Sequence, residues 1–335
     1  MLKSLPIIAA IFIITAAFGF RTALRVEPAI TIVFYNVENL FDTIDTPDVI
    51  DEDFTPTGKL NWNASRYQKK LKDLVKVLSS ASGSSYPAAI GLCEIENRAV
   101  VEDLMKTAEF NKMNYRVVHE ESADDRGIDV AFAYNPKVMS ELYHEKMRVR
   151  FDFDSKAKTR DILYVKTLAG KDSLHFFVNH WPSRREGQEE SEKRRLVPAQ
   201  MLRAKSDSLR KVNPKAKIII MGDFNDFDGK VIDANNNIPI SQVLDILKGY
   251  AGTYANRYEL FSVAETIPKN ERFSDWWDQN GNCVSTPNEF STIDHMLVSK
   301  ALQQGIVNSF FYHGYDEFCE TYESDHYPLV IDIII

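Results

Sequence analysis

The stretch "IIIMGDFND", residues 218–226, decides the fold and raises the first functional question. Three isoleucines and a methionine lead into a glycine, then Asp223, a phenylalanine and Asn225. A short apolar run that ends in Gly-Asp is typical of a buried strand followed by a turn, and turn chemistry alone would explain these residues. Ligands in α/β sheets also bind where strands end, so the same residues fit a functional site. The rest of the chain decides between the two interpretations.

Composition limits what the protein can bind. The chain has 335 residues, of which 44% are hydrophobic, and this is typical of a globular protein. The net charge is −8, from 48 acidic and 40 basic residues. A surface of that charge does not hold polyanions by bulk electrostatics. A phosphate-bearing substrate therefore requires a bound cation or a local basic patch.

The amino-terminal residues 1–26 indicate export. One lysine precedes an apolar run over residues 7–20, which is short for a membrane span and suits the central part of a signal peptide. An uncleaved membrane anchor is the alternative. We exclude residues 1–26 from the fold and assign residues 27–335 to one domain, exported to the periplasm or the extracellular space.

The three cysteines are too few, and odd in number, for a disulfide framework. Cys93 lies in an apolar run and is expected to be a buried hydrophobic residue. Whether Cys283 and Cys319 pair is left open.

Apolar periodicity predicts a single α/β domain with layers of helices on sheets. Amphipathic patterns predict helices over residues 65–78, 99–108 and 197–211. The densely charged segment 182–195 is interpreted as a mobile loop that leads into the third helix. Strands are predicted over residues 29–36, 88–95, 128–134, 161–167, 173–180, 217–223, 291–299 and 328–335.

Polar side chains follow or interrupt six of these apolar runs. Each has an ordinary explanation as a cap, a turn residue or a surface charge. Together they are carboxylates, carboxamides and imidazoles, the composition of a site for a hard cation with acid–base partners. The residues are Asn36, Glu94, Glu96, His180, Asp223, Asn225, Asp294, Asp325 and His326.

The motifs "YNVENLF", "GLCEIEN", "RGIDVAFAY", "VNHWPSR", "GDFND", "STIDHMLVS" and "SDHYPL" occur in this order from about residue 30 to the carboxyl terminus. This series resembles the endonuclease/exonuclease/phosphatase superfamily, also called DNase I-like. The resemblance implies a four-layer α/β sandwich, in which helices flank two packed, mainly antiparallel β-sheets. It also implies hydrolysis of phosphoester bonds with Mg²⁺, with Mn²⁺ or Ca²⁺ as alternatives.

The resemblance also implies a role for each matching residue. It assigns Asn36, Glu94 and Asp325 to the metal. The catalytic group that it implies consists of His180, Asp223, Asn225, Asp294 and His326. Arg160, together with Asn225 and His180, is expected at the substrate phosphate.

Two positions depart from this pattern or leave it ambiguous. Cys93 stands where many relatives have a glutamine. Glu94 and Glu96 share one face of an ideal strand, so spacing does not choose between them; the family pattern favours Glu94.

These residues lead us to expect a secreted or periplasmic nuclease-like phosphodiesterase that uses in-line attack of water. A phosphatase or phosphodiesterase acting on small-molecule or lipid phosphoesters is one alternative, and a non-catalytic binding protein on the same fold is another. A phosphoester substrate, including nucleic acid, is the expected partner, and the pattern implies a monomer without a stable protein partner. Arginines of the charged segment are interpreted either as contacts to a phosphate backbone or as a solvated surface: Arg184, Arg185, Arg194 and Arg195.

Overall fold

The computed structural model describes residues 28–83, 86–185, 187–227, 243–249, 258–276, 289–314 and 324–335. The predicted signal peptide or anchor lies outside the described residues, as do Cys283 and Cys319. Cys93 is buried, as expected. Within the described ranges, no helix combines the length and the apolar composition needed to cross a bilayer.

The described chain alternates strands and helices. The helices are α1 (Ala64–Ala81), α2 (Arg98–Met105), α3 (Ala108–Asn111), α4 (Gln188–Val212), α5 (Val243–Lys248) and α6 (Lys300–Gln303). The strands are β1 (Ile30–Leu40), β2 (Ala89–Ile95), β3 (Arg116–His119), β4 (Asp129–Tyr134), β5 (Met139–Met147), β6 (Ile162–Ala169), β7 (Asp172–His180), β8 (Lys217–Asp223), β9 (Leu260–Ser262), β10 (Asp275–Trp276), β11 (Phe290–Ser291), β12 (Asp294–Ser299), β13 (Ile306–Phe311) and β14 (Leu329–Ile333).

Two six-stranded sheets form the centre of the molecule. Their strand orders are β13-β14-β1-β2-β4-β3 and β5-β6-β7-β8-β12-β9, and β10 pairs with β11 separately. Each sheet has one parallel pair at its centre, β1 with β2 and β7 with β8, and its other neighbours run antiparallel. The prediction of two mainly antiparallel sheets flanked by helices is therefore confirmed. Because parallel neighbours need a crossover, α1 connects the first pair and α4 the second.

The central strands are covered on both faces, so the residues that point to either face are buried. This explains why apolar residues follow one another along these strands. Ile32 and Phe34 of β1 belong to the core between the two sheets, whereas Val33 and Tyr35 pack in the outer layer with α1 and α2. In the second sheet Ile219 faces the inner core, and Ile218 and Ile220 pack in the outer layer with α4 and α5. Helices thus cover the outer face of each sheet, which gives four layers.

The two sheets approach closely at Gly91 of β2. A Cβ atom there would lie 2.6 Å from Sδ of Met221 on the opposing sheet, so a larger residue would have to displace that side chain. Nearby, the rings of Phe132 and Phe176 pack across the interface with their centroids 4.7 Å apart. Burying such a side chain contributes roughly 1.5–3 kcal/mol to folding.

Asparagine caps fix where the first two helices begin. The side chain of Asn63 accepts hydrogen bonds from the backbone N–H groups of residues 65 and 66, and Asn97 does the same for residues 99 and 100. The predicted helix over residues 65–78 corresponds to α1. The predicted helix over residues 99–108 corresponds to α2, which ends at Met105.

The interpretation of residues 182–195 as a mobile loop was wrong for most of the segment. Helix α4 begins at Gln188, well before the predicted start at residue 197, and Pro198 lies inside it. The reason is tertiary: Arg195 is fully buried, and its guanidinium donates to Asp226 at 3.1 Å and to Ser191 at 2.7 Å. Arg195 therefore stabilises the helix from within and does not face a phosphate backbone.

Candidate active site

The candidate site lies at one edge of the two sheets, where the parallel pairs end. β1 and β2 are parallel, so Asn36 and the end of β2 meet at the same edge. In the second sheet His180 pairs with Asp223, and Asp223 pairs on its other side with Asp294 of the antiparallel β12. Strand register alone therefore brings together three of the predicted catalytic residues.

Irregular backbone turns the side chains of β1 and β2 into the site. The pairing of β1 with β2 shifts register between Asn36 and Leu40, and the pairing of β2 with β4 shifts between Cys93 and Ile95. Glu94, at the second shift, has a φ of 60°. Such left-handed backbone costs a non-glycine residue on the order of 1–3 kcal/mol, and it is concentrated at functional sites.

The side chains of the two glutamates have different surroundings. Oε2 of Glu94 accepts a hydrogen bond from the N–H of Asn39 at 3.1 Å, and its Oε1 lies 3.7 Å from Nε2 of His180. The carboxylate of Glu96 instead accepts from the N–H of Asp42 at 2.7 Å and from the Thr46 hydroxyl at 3.2 Å. Glu94 therefore faces the site, and Glu96 holds the loop that follows β1.

His326 and Asp294 form a tight buried pair. Nδ1 of His326 lies 2.7 Å from Oδ2 of Asp294, and its Nε2 lies 3.2 Å from Nδ2 of Asn36. Burial opposes protonation of the imidazole, but the carboxylates of Asp294, Asp325 and Asp223 outweigh it and raise the pKa of His326 well above its usual value. Asp294 thus fixes the orientation of the imidazole through Nδ1 and favours its protonated form.

Both carboxylate oxygens of Asp223 accept hydrogen bonds. Oδ1 accepts from the N–H of Asn225 at 2.8 Å, and Oδ2 accepts from the amide of Asn36 at 3.2 Å. Burial, and then the charge of Asp294, raise the pKa of Asp223 to about 7. Asn225, whose φ is 49°, donates through Nδ2 to the carbonyl oxygen of Trp181 at 3.1 Å.

His180 lies between the two carboxylates. Its Nε2 is 3.6 Å from Oδ2 of Asp223 and 3.7 Å from Oε1 of Glu94. Burial, followed by the charges of Arg160 and Arg126, lowers the pKa of His180 well below its usual value, so its imidazole is neutral. Nδ1 is buried without a hydrogen-bond partner among the described residues.

Arg160, expected at the substrate phosphate, is engaged within the protein. Its guanidinium donates to the carbonyl oxygens of His180 at 3.3 Å and Trp181 at 2.6 Å, and to Asp124 at 2.8 Å. These bonds fix the backbone that carries His180. Contact of Arg160 with a phosphate stays a prediction, and its observed role is to position that segment.

Asp325 lies at the mouth of the site, where half of its side chain is exposed. One of its oxygens is 3.6 Å from Nε2 of His326, and its backbone N–H donates to Glu38 at 3.0 Å. Each residue predicted for metal binding or catalysis therefore either contacts another of these residues at this edge of the sheets or lies on a segment that makes such a contact.

Two serines that support the site were not singled out from the sequence. The hydroxyl of Ser324 donates to the carbonyl oxygen of Asn36 at 2.8 Å and accepts from the N–H of His326 at 3.0 Å. Ser274 accepts from the N–H of Asp294 at 2.9 Å. Ser324 stands two residues before His326, which was a usable signal, but nothing in the sequence marks Ser274.

The donor atoms of the site fit a hard divalent cation. Carboxylate oxygens, here from Glu94, Asp223 and Asp325, are the ligand type that Mg²⁺ prefers. Asn36 turns its Nδ2 toward Asp223, and its Oδ1 accepts from the N–H of Glu38 at 3.0 Å. Burial, and after it the charges of Asp294 and Glu94, raise the pKa of Asp223, so the carboxylates of the pocket repel one another. A divalent cation would relieve that repulsion.

Two groups of acidic and histidine side chains in the described residues are close enough to share one ion. The first is Asp223, Asp294 and His326, within the site itself. The second is His119, Glu121 and Asp129 at the connection from β3 to β4. In the second group Asp129 lies 3.1 Å from Nε2 of His119 and accepts from Ser122, so it anchors that connection.

Several solved structures share this fold. TDP2 from D. rerio, complexed with a single-strand DNA product, is 18% identical, with a TM-score of 0.57 over 92% of this chain and 100% of that one. The human Nocturnin catalytic domain with a bound sulfate anion is 15% identical, with a TM-score of 0.56 over 92% and 95%. An endonuclease/exonuclease/phosphatase from Bacteroides vulgatus is 12% identical, with a TM-score of 0.60 over 92% and 100%. At these identities the likeness establishes the fold.

Sequence comparison establishes the family. No curated protein sequence matches the chain. The model of the endonuclease/exonuclease/phosphatase family matches residues 31–274, which is most of the chain and includes the ends of β1, β2, β7 and β8. The protein therefore belongs to the endonuclease/exonuclease/phosphatase family of phosphoester-hydrolysing enzymes.

Proposed function

We propose that the protein is a divalent-metal-dependent phosphodiesterase of the nuclease type, which hydrolyses its substrate by in-line attack of water. One observation carries this proposal: side chains far apart in sequence meet in a single pocket. Asn36 contacts Asp223 and His326 at 3.2 Å each, and His180 lies within 3.7 Å of both Glu94 and Asp223. The pocket therefore combines an oxygen-ligand set with a base and an acid.

Asp223 is proposed to orient the attacking water and accept its proton. A general base works best when its pKa lies near the working pH, and the pKa of Asp223 is about 7. Its bond from the N–H of Asn225 and its bond from Asn36 hold the carboxylate still. Geometry and basicity therefore suit the same role.

His326 and His180 are proposed to act on the phosphoryl oxygens from two sides. His326, charged and aligned by Asp294, stabilises the developing negative charge through its Nε2 proton. His180 is neutral and donates through one ring nitrogen. The amide of Asn225 has a second N–H beyond the one given to Trp181, and this N–H is available to the phosphate.

Glu94, Asn36 and Asp325 are proposed to hold the cation, which we assign as Mg²⁺, with Mn²⁺ and Ca²⁺ as the alternatives. When bound, the cation stabilises the extra negative charge at phosphorus. The strained backbone at Glu94 keeps its carboxylate turned into the site before any ion arrives.

Two further observations support nucleic acid as substrate and export as setting. A structural neighbour, TDP2 from D. rerio, is described with a single-strand DNA product, and the Nocturnin domain is described with a sulfate anion. The apolar run over residues 7–20 after a single lysine supports secretion or transport to the periplasm.

An activity panel on the purified protein tests this function. The substrates are plasmid DNA, RNA, bis-p-nitrophenyl phosphate and p-nitrophenyl phosphate, each with Mg²⁺, Mn²⁺, Ca²⁺ or EDTA. We expect cation-dependent cleavage of the diesters that EDTA abolishes. Faster turnover of p-nitrophenyl phosphate than of either nucleic acid would favour a phosphatase, and no turnover of any substrate would favour a binding protein.

Variants separate the active site from the fold. Asp223→Asn and His326→Gln should each lower diester turnover by ~10²–10⁴-fold, the usual contribution of one acid–base group. The matched control is Asp332→Asn, because Asp332 bonds to Thr31 near the start of β1, away from Asn36. Circular dichroism should show that all three variants are folded. Wild-type turnover in both site variants would refute the assignment.

A further inference from the structure

Arg184 has no role in the chemistry described above, although it lies close enough to Asp223 for the two charges to interact. It stands four residues after His180, just beyond β7, and Phe227 stands four residues after Asp223, just beyond β8. The guanidinium carbon of Arg184 lies 3.9 Å from the centroid of the Phe227 ring. A cation over an aromatic face at this distance is held in place by the charge distribution of the ring.

The segments that carry these two residues are bound to each other along their length. The N–H of Trp181 donates to the carbonyl oxygen of Asp223 at 2.9 Å. The Trp181 ring stacks on Phe224, with centroids 4.3 Å apart and planes at 10°. The contact between Arg184 and Phe227 is the next one along the same pair of segments. These contacts fix the segment that carries Arg184 relative to the segment that carries Asp223.

The guanidinium of Arg184 is partly buried, yet within the described residues it has no hydrogen bond or ion pair. The neighbouring carboxylates already have partners: Asp226 bonds to Arg195, Asp223 to the N–H of Asn225, and Asp275 to the hydroxyl of Ser291. Burial lowers the pKa of Arg184, although Asp275 opposes that shift. A cation taken out of water without an acceptor is unfavourable, and an anionic ligand would offset that cost.

This environment differs from that of Arg160, whose guanidinium donates to three protein acceptors. Of these two arginines beside the pocket, Arg184 is the one that gives none of its five N–H donors to an acceptor among the described residues. Its planar fork suits two oxygens of one phosphate group. The net charge of −8 means that such a local cation is needed to retain a polyanion.

We propose that Arg184, supported by the ring of Phe227, is the binding subsite for a second, non-scissile phosphate next to the phosphate that is hydrolysed. The substrate class is then a phosphodiester chain, or a nucleotide that bears a further phosphate, and not an isolated phosphoester. This inference rests on the proposed function, because it places the scissile phosphate among Asp223, His180 and His326.

Matched pairs of chromogenic esters test the subsite. One pair is the p-nitrophenyl ester of thymidine 5′-phosphate with and without a 3′-phosphate. The other pair is the p-nitrophenyl ester of thymidine 3′-phosphate with and without a 5′-phosphate. In the wild-type protein the added phosphate should raise kcat/KM about 10- to 100-fold in at least one pair, the effect of one charge-assisted contact.

The variants then ask whether Arg184 is the cause. In Arg184→Met the ratio of kcat/KM with and without the added phosphate should fall to about one, and Arg184→Lys should keep part of it, because lysine retains the charge without the fork. The control Arg185→Met, at the exposed neighbouring residue, should keep the wild-type ratio. Each ratio is taken within one variant, so partial unfolding cancels.

Two results would overturn the subsite while leaving the proposed function in place. One is a ratio near one for both pairs in the wild-type protein, and the other is a wild-type ratio retained in Arg184→Met. If the wild-type protein hydrolyses none of the four esters with any of the tested cations, the proposed function fails and the subsite fails with it.

Discussion

Replacing Asp294 with asparagine should shift the pH range in which the enzyme works. Asp294 lies 2.7 Å from Nδ1 of His326, and its charge helps to raise the pKa of that imidazole despite burial. A hydrogen bond between charged groups contributes about 1.5–3 kcal/mol, which corresponds to roughly one to two pKa units. Asparagine keeps the size of the side chain and removes the charge.

The sign of the shift follows from the active form of the imidazole. If the protonated imidazole of His326 stabilises the phosphoryl oxygens, activity is lost as the pH rises through its pKa. Because Asp294→Asn lowers that pKa, the loss should begin at lower pH. We expect kcat/KM to fall more at pH 8 than at pH 6, by a factor of at most about 10 to 100, the limit set by a shift of one to two pKa units.

The assay is bis-p-nitrophenyl phosphate hydrolysis from pH 5.5 to pH 9 at saturating Mg²⁺. The matched control is Asp172→Asn, because Asp172 begins β7, at the opposite end of the strand from His180, and pairs only with Lys217 at 3.1 Å among the described residues. The control should keep the wild-type profile. If the activity of Asp294→Asn declined over the same alkaline pH range as that of the wild-type protein, the role given to the Asp294–His326 pair would be refuted.

Three further substitutions test separate parts of the structure. Glu94→Gln should lower diester turnover by about 100-fold or more, whereas Glu96→Gln should retain most of it; equal losses would place both carboxylates in the site. Burial lowers the pKa of His175 to about 4, so its protonation destabilises the folded state as the pH falls below about 6.5. The free energy of unfolding, measured by urea titration, should therefore fall less between pH 7.5 and pH 5 in His175→Asn than in the wild-type protein, by about 1 kcal/mol. An equal fall in the two proteins would contradict this. Arg195→Met should cost about 3–5 kcal/mol of unfolding free energy, because it removes a charged partner from the fully buried carboxylate of Asp226; a cost below about 1 kcal/mol would show that the pair is dispensable.

The central strands could be predicted because their sequence signal is local. β1, β7 and β8 are covered on both faces, so each reads as a continuous apolar run that stops at a polar residue. Asn36, His180 and Asp223 were found at those stops, and strand pairing then brings the last two together. The edge strand β5 was missed, since its largely polar, partly exposed residues give no such run.

The remaining features depend on contacts between distant parts of the chain. The early start of α4 follows from the pairing of Arg195 with Asp226, which no local pattern encodes. The orientation of Glu94 follows from a register shift between strands, which strict alternation along β2 cannot anticipate. Ser274 supports Asp294 from a separate segment, so its sequence neighbours carry no sign of that role.

The central claim is that Glu94 and its neighbours hold the cation on which hydrolysis depends. Anomalous diffraction from a crystal grown with Mn²⁺ tests it most directly. The account predicts a peak about 2.0–2.3 Å from a carboxylate oxygen of Glu94, in the pocket shared with Asn36 and Asp325. A single strong peak at His119 and Asp129, with nothing beside Glu94, would contradict it.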